Sequence, residues 1–145
     1  MRVVQVFTTI AAVTVATACG TDTAAPPPRT TTTTSPSAAD PYRNEPLIDH
    51  VTWNRTDRGE QLQVIPTHAG RVGTFPAAEA RAWSEVVAAE PSADAPNMRD
   101  QFFCHWVYAR IAAPNKPSWN LEPWRPNIGY QATTEAACNP GGAEE

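Results

Sequence analysis

The chain has little positive charge, and almost none of it is lysine. Eleven lysines and arginines stand against 15 aspartates and glutamates, giving a net charge of -4, and Lys116 is the single lysine. Proteins that bind nucleic acid through its phosphates carry a basic patch or stripe, and this sequence has no such footprint. Nucleic acid is therefore not an expected partner.

The sequence also lacks an apolar run long enough to cross a membrane. A transmembrane helix needs roughly 20 apolar residues, whereas the stretch Val3–Val15 is shorter and is interrupted by threonines. It follows a positive Met1-Arg2 start and precedes the small residues Ala16-Thr17-Ala18, as in a secretory signal peptide with its cleavage site. We therefore predict that residues 1–18 are a signal peptide and that the protein is exported.

Cysteine is scarce and odd in number. The three are Cys19, Cys104 and Cys138, and an odd count in an exported protein leaves one thiol to explain. Cys19 directly follows the cleavage site, as in a bacterial lipobox, although Ala16 stands where lipoboxes usually carry leucine. With Cys104 paired to Cys138, lipidation of Cys19 leaves no thiol free outside the cell. We predict a diacylated membrane anchor, since two chains hold a protein stably, with soluble secretion as the alternative.

Large apolar side chains are absent from Gly20 to Asp40, where the sequence reads GTDTAAPPPRTTTTTSPSAAD. Such a segment cannot bury enough surface to offset its ordering entropy, and Pro26–Pro28 favour an extended conformation. We predict a disordered stalk over residues 19–42. The run Thr30–Thr34 fits either an O-glycosylated stalk or an unmodified linker.

The remaining residues 43–140 are predicted to fold as an α+β domain, a small antiparallel sheet with two helices, before a frayed tail at 141–145. LIDHVTW and QLQVI alternate as strands of a hairpin. The predicted inward residues are Leu47, Val51, Trp53, Leu62 and Val64. Pro66 should end the second strand because it has no amide to donate.

Two helices are predicted after the hairpin. The first starts near Pro76, which suits a first turn, and ends near Glu90. Its apolar face is predicted from Ala80, Trp83, Val86 and Val87, with Arg81 and Glu85 paired on another face. The second runs from about Met98 at least to Cys104, capped by Asp94 or Asn97. The alternation from Phe102 to Tyr108 would equally fit a strand.

Prolines 114, 117, 123 and 126 exclude regular helix over 114–126, which predicts an ordered loop packed down by its tryptophans. A short strand is predicted at Ile128–Ala132. A Cys104–Cys138 disulfide would close a loop around this segment and contribute roughly 3.5 to 4 kcal/mol in the chain-entropy description.

The motifs TWNR, QLQVIPT, AWSEVV, MRDQFFCH, WNLEPWRP with a following GY, and CNP lie between about Val51 and Pro140. Together they resemble a group of exported actinobacterial proteins known as domain of unknown function 2599. The resemblance implies an exported, disulfide-bearing domain of a mycobacterial or related cell envelope. It carries over no activity.

The predicted loop over 114–126, here called the tryptophan-rich loop, supplies the candidate binding residues. Flat indole faces can stack on sugars or cations, and a nearby amide, carboxylate and guanidinium can bond their hydroxyls or anions. The candidate residues are Trp119, Asn120, Glu122, Trp124 and Arg125. The alternative is that the rings seal the core and that Glu122 pairs with Arg125.

Catalytic candidates are weaker. His105 follows Cys104, but adjacent helical residues point about 100° apart, which favours a disulfide over a thiol nucleophile. Glu122 with Asp100 or Glu85 is a conceivable glycosidase pair. His50, His68 and His105 lack the spacing of metal ligands, so neither a metal nor a cofactor is predicted.

The sequence therefore predicts a non-catalytic binding or interaction module of the cell envelope that uses the tryptophan-rich loop. Its expected partners are the membrane, through the lipid on Cys19, and an envelope glycan or protein. The alternative is a small secreted hydrolase acting on envelope glycan or lipid, with His105, Glu122 and Arg125 as its polar groups.

Mass spectrometry of the protein recovered from its host should find a mature N-terminus at Cys19 carrying a diacylglyceryl group. The Cys19→Ala variant should leave the membrane fraction, because the anchor needs that thiol. An unmodified Cys19 would overturn the anchor and leave soluble secretion.

Overall fold

The computed structural model describes residues 39–142, so the predicted signal peptide, Cys19, most of the predicted stalk and residues 143–145 lie outside this part. Within it the chain forms three strands: β1 (Ile48–Thr56), β2 (Gly59–Pro66) and β3 (Trp119–Leu121). It also forms five α-helices: α1 (His68–Val72), α2 (Ala78–Ala89), α3 (Pro96–Cys104), α4 (Arg110–Ala112) and α5 (Tyr130–Glu135). A 3-10 turn at Pro91–Ala93 precedes α3, and a π-helical segment at His105–Ala109 joins α3 to α4. The α+β prediction is confirmed, with more helices than expected.

The predicted hairpin is present, and β1 pairs antiparallel with β2. Leu62 and Val64 are fully buried, as their alternation predicts, and β2 ends at Pro66. Trp53 was expected inward but is 37% exposed. From β1 its side chain reaches Glu90, the residue that ends α2, and its indole donates to that carboxylate at 2.9 Å. The ring therefore lies beyond the helix, which does not cover it.

The predicted loop over 114–126 contains a third strand. β3 pairs antiparallel with β2, placing Trp119 opposite Val64 and Leu121 opposite Leu62. Its three residues lie between Pro117 and Pro123 and keep the amides that a sheet requires. Proline therefore excluded helix here, as predicted, but not a short strand.

Helix α2 begins later than Pro76, at Ala78, after Ala77 in the left-handed conformation. Its buried residues are Ala78, Ala82, Trp83 and Val86, whereas Ala80 is exposed. The expectation for Ala80 was wrong because the buried face follows 78, 82 and 86 at a spacing of four. The predicted pair forms, with Arg81 Nε 3.1 Å from Glu85 Oε1.

Helix α3 confirms the helical alternative for its segment, with Met98 and Phe102 buried. The predicted cap is wrong: among the described residues, no side chain bonds to the N-terminus of α3. Pro96 opens the helix without an amide that needs a partner. Asn97 instead bonds to the tryptophan-rich loop.

The strand predicted at Ile128–Ala132 is wrong, because α5 starts at Tyr130 after Gly129, which has φ 81°. Gln, Ala and Glu in the segment YQATTE are good helix formers whereas Tyr and Thr are not, and the Gln131 amide donates to Glu135 one turn later at 3.0 Å. This i,i+4 bond is available only in the helix.

Four aromatic rings form the centre of the core between helices and sheet. Phe102 lies 5.3 Å from Trp83, 6.1 Å from Trp106 and 5.9 Å from Trp119, measured between ring centroids. Tilted and edge-on pairs at such distances are favourable beyond their buried area. This cluster fixes α3 against α2 and β3.

Residues at both ends of the described part make contacts. Arg81 pairs with Asp40 at 2.7 Å, inside the predicted stalk, and Gly142 in the predicted tail accepts a hydrogen bond from Arg125 at 2.6 Å. No helix between residues 39 and 142 is long and apolar enough to span a membrane.

The predicted disulfide joins Cys104 at the end of α3 to Cys138 beyond α5. The sulfurs are 2.04 Å apart, the Cα atoms are 5.4 Å apart, and the two cysteines are 34 positions apart in the chain. The cross-link closes the segment that contains β3 and α5.

Replacing both cysteines by alanine should lower the free energy of unfolding by about 3.5 to 4 kcal/mol, because the unfolded chain gains the entropy of an open loop. Urea unfolding of the double variant and of reduced wild-type protein should give matching losses. A loss below about 1 kcal/mol in both would contradict this role.

Candidate functional site

Trp119 lies inside the protein. It is fully buried in β3 and packs edge-on against Phe102 and Trp106, the second at 5.8 Å between ring centroids. A ring with no exposed surface cannot stack on a ligand in this conformation. Its contacts give Trp119 a role in the core.

Glu122, just after β3, is the centre of a buried polar network. Its carboxylate accepts a hydrogen bond from the Gln61 amide at 2.9 Å and pairs with Arg125. Glu122 and Arg125 are each only 2% exposed. The same guanidinium donates to the carbonyl of Pro140 at 3.0 Å, so the network also reaches the C-terminal turn.

Two side-chain amides of α3 bond to the backbone of the tryptophan-rich loop. The fully buried Gln101 donates to the Glu122 carbonyl at 3.1 Å and accepts from the Glu122 amide at 2.9 Å. Asn97 donates to the carbonyls of Pro123 and Arg125 at 3.1 and 2.9 Å. These bonds satisfy backbone groups of the proline-rich segment after β3, which lie outside the sheet and need other partners.

Trp124 and Asn120 remain partly exposed. The guanidinium groups of Arg58 and Arg125 lie over the Trp124 ring, 5.9 and 4.6 Å from its centroid. It also covers Gly59, where a Cβ atom would approach within 2.7 Å of the ring. Asn120 accepts a hydrogen bond from Ser118 at 2.7 Å.

The five candidate binding residues are thus neighbours, but the structure places three of them inside. The predicted alternative pairing of Glu122 with Arg125 is confirmed. A binding role for the set stays a prediction, and within the set Asn120 and Trp124 have the side chains that solvent reaches.

His105 is buried, and its ring is fixed by β3. Nε2 lies 3.1 Å from the Asn120 carbonyl, which can only accept, so Nε2 carries the proton. Burial, with the nearby charge of Lys116, lowers the pKa of the imidazole to about 4. The ring is therefore neutral at pH 7, and Nδ1 is left with a lone pair.

The other chemical candidates do not meet at His105. Cys104 is in the disulfide and offers no thiol. His50 pairs with Asp49 at 2.7 Å at the surface, and Glu85 accepts from the amides of Leu47 and Ile48 at 2.7 and 2.9 Å. Among residues 39–142, no cluster of three or more His, Cys, Asp or Glu side chains could hold a metal.

A pocket of about 440 Å³ lies beside the disulfide, and its lining is mainly apolar. One part comes from the end of α3 and the π-helical segment: Cys104, His105, Tyr108 and Ala109. A second part comes from α5 and the turn after it: Thr134, Ala137, Cys138 and Asn139. Ala112, Ala113 and Lys116 complete the lining.

The backbone around this pocket departs from regular helix twice. The π-helical segment inserts an extra residue into the turn that carries His105 and Tyr108, a feature common at functional sites. Ala137 and Cys138 have φ of 51° and 68°, in the left-handed region. Their amides bond to the carbonyls of Thr134 and Thr133, closing α5 with a turn in which glycine is usual.

Sequence reasoning missed Gln101 and the pocket, and it assigned Asn97 only as a helix cap. A signal existed for Gln101, since it lies three residues after Met98 on the apolar stripe of α3, where a buried amide needs partners. The sequence contains no signal for the pocket, because neither a π-helical segment nor a left-handed alanine has a characteristic residue composition.

Comparison with known proteins identifies relatives but no activity. The sequence profile of a family described as "Protein of unknown function (DUF2599)" matches residues 48–141. The uncharacterized proteins Rv0477 of Mycobacterium tuberculosis and Mb0487 of Mycobacterium bovis are each 47% identical over 103 residues, covering 68% of this chain and 69% of each relative. The uncharacterized protein ML2452 of Mycobacterium leprae is 36% identical over 102 residues, covering 68% of this chain and 83% of that relative. No solved structure matches the chain.

Glu122→Gln should lower the free energy of unfolding by about 3 to 5 kcal/mol, because it leaves the Arg125 charge buried without its partner. Glu60→Gln is the matched control: its pair with Arg55 spans 3.7 Å with side chains 61% and 83% exposed, and its loss should cost under about 1 kcal/mol. Urea unfolding measures both. Equal losses would show that the buried network does not stabilise the fold.

Proposed function

The chain belongs to the DUF2599 family, and we propose that it is a non-catalytic binding module of the cell envelope that takes a small, largely apolar ligand into the pocket beside the disulfide. The pocket carries this proposal. Its volume of about 440 Å³ lies within the range of about 300 to 1,000 Å³ that small-molecule sites occupy.

The structural features around the pocket support a binding role. The π-helical segment, the left-handed residues and the buried imidazole all contribute to its lining. A non-glycine residue in the left-handed conformation costs roughly 1 to 3 kcal/mol, and such residues cluster at sites of function. The disulfide joins the two segments that carry these features, since Cys104 and Cys138 both line the pocket.

The hydrolase alternative has less support. Among the described residues that line the pocket, His105 is present, but Glu122 and Arg125 are not. Their charged groups are occupied by each other and by Gln61 and Pro140. The described residues of the lining include no Asp or Glu, so His105 has no carboxylate partner in the pocket for general acid–base catalysis.

The envelope location completes the proposal. The N-terminal sequence pattern supports export and attachment through a lipid on Cys19, which would hold the pocket near the membrane surface, where apolar ligands are concentrated. The membrane is then the partner through the anchor, and an envelope lipid or another apolar envelope component is the expected source of the ligand.

Binding of the uncharged fluorescent probe N-phenyl-1-naphthylamine tests the pocket. Wild-type protein should bind it saturably, and Ala112→Trp should weaken binding by about tenfold or more because the indole fills space at the lining. Ala80→Trp is the control, since Ala80 is an exposed helical alanine outside the pocket lining.

Equal unfolding midpoints for the two variants would confirm that each remains folded. Absence of saturable binding to wild-type protein, or equal weakening by both substitutions, would contradict the proposal.

A further inference from the structure

Two residues of the pocket lining carry buried acceptor atoms that lack a hydrogen-bond partner among the described residues. They are Nδ1 of His105 and Oδ1 of Asn139. Buried polar atoms are nearly always paired in folded proteins, so an unpaired one requires an explanation. Two such atoms on residues that line one pocket point to a ligand that can donate hydrogen bonds.

The chemical role of each atom follows from its neighbours. His105 uses its N–H on the Asn120 carbonyl, and because the ring is neutral its second nitrogen can only accept. The Asn139 side chain uses its N–H on the Ala137 carbonyl at 3.0 Å, which assigns the remaining atom as the amide oxygen. Both unpaired atoms therefore need a donor.

The charges near the pocket limit the class of ligand further. Burial and the positive charge of Lys116 disfavour the protonated form of His105, and Lys116, which also lines the pocket, disfavours an ammonium ligand for the same reason. An ionised carboxylate has only acceptors and could not supply the donor that Nδ1 and Oδ1 lack. An uncharged hydroxyl meets both conditions.

We propose that the pocket selects an uncharged amphiphile with a hydroxyl group, whose O–H donates to His105 Nδ1 or Asn139 Oδ1 while its hydrocarbon part lies along Tyr108 and the alanines of the lining. This assignment rests on the proposed function, because it names the ligand class of the same site. The ligand needs both its hydrocarbon part, which supplies apolar contact, and its hydroxyl, which supplies the missing donor.

Displacement of N-phenyl-1-naphthylamine from wild-type protein tests the assignment with two isomers of equal size. Decan-1-ol has a hydroxyl donor, whereas 1-methoxynonane has the same atoms and no donor. Decan-1-ol should displace the probe at about a tenfold lower concentration. Decanoate and decylammonium should both be weaker than decan-1-ol.

Substitutions at His105 identify the acceptor. His105→Gln can keep a donor toward Asn120 and an acceptor toward the pocket, so it should retain the preference for the alcohol. His105→Phe should lose most of that preference. The comparison of isomers on wild-type protein stands even where a variant fails to fold.

The outcomes separate the two proposals. Equal displacement by the isomers, or tighter binding of decanoate or decylammonium, would overturn the hydroxyl assignment and leave an apolar binding site. Failure of wild-type protein to bind the probe or any of the four compounds would overturn the proposed function itself.

Discussion

The buried pair of Glu122 and Arg125 is the interaction on which the arrangement of the domain depends. Moving either charge out of water costs several kcal/mol unless a partner and further hydrogen bonds compensate. Here the compensation comes from separate parts of the chain: Gln61 in β2, and the carbonyls of Pro140 and Gly142 after α5. The native arrangement of sheet, loop and C-terminal turn brings these groups together, a requirement that apolar packing alone would not impose.

The pocket forms where regular helix geometry stops. At the end of α3 the backbone widens into the π-helical segment, and at the end of α5 two consecutive residues adopt left-handed conformations. The disulfide joins these two irregular ends. The aromatic core fixes α3, while the cross-link ties the turn after α5 to the end of that helix beside the cavity. This division explains how a small domain with a proline-rich sequence keeps a defined site.

Sequence patterns predicted much of what depends on local periodicity, with Trp53 and Ala80 as exceptions, and missed what depends on tertiary pairing. Burial was predicted correctly for Leu62 and Val64 from their alternation, and for Met98 and Phe102 from their helical spacing. Each of these patterns reflects one face of one element. Prolines made the segment containing β3 look irregular, yet pairing with β2 decided its conformation. The pocket was unpredictable for a similar reason, since its lining joins residues from α3 to the turn after α5.

The polar contacts of Arg125 have a consequence for the order in which the domain is assembled. The carbonyls that receive its guanidinium belong to residues 140 and 142, and the second half-cystine is residue 138. A nascent chain that has grown only as far as α5 already contains β1, β2, the aromatic cluster and both members of the Glu122–Arg125 pair, but it lacks the two carbonyls and the second half-cystine. Until synthesis passes the final turn, the guanidinium has no backbone acceptors there and Cys104 has no native partner for the cross-link. The last residues of the domain therefore complete the interior of a fold whose strands and core rings were made earlier.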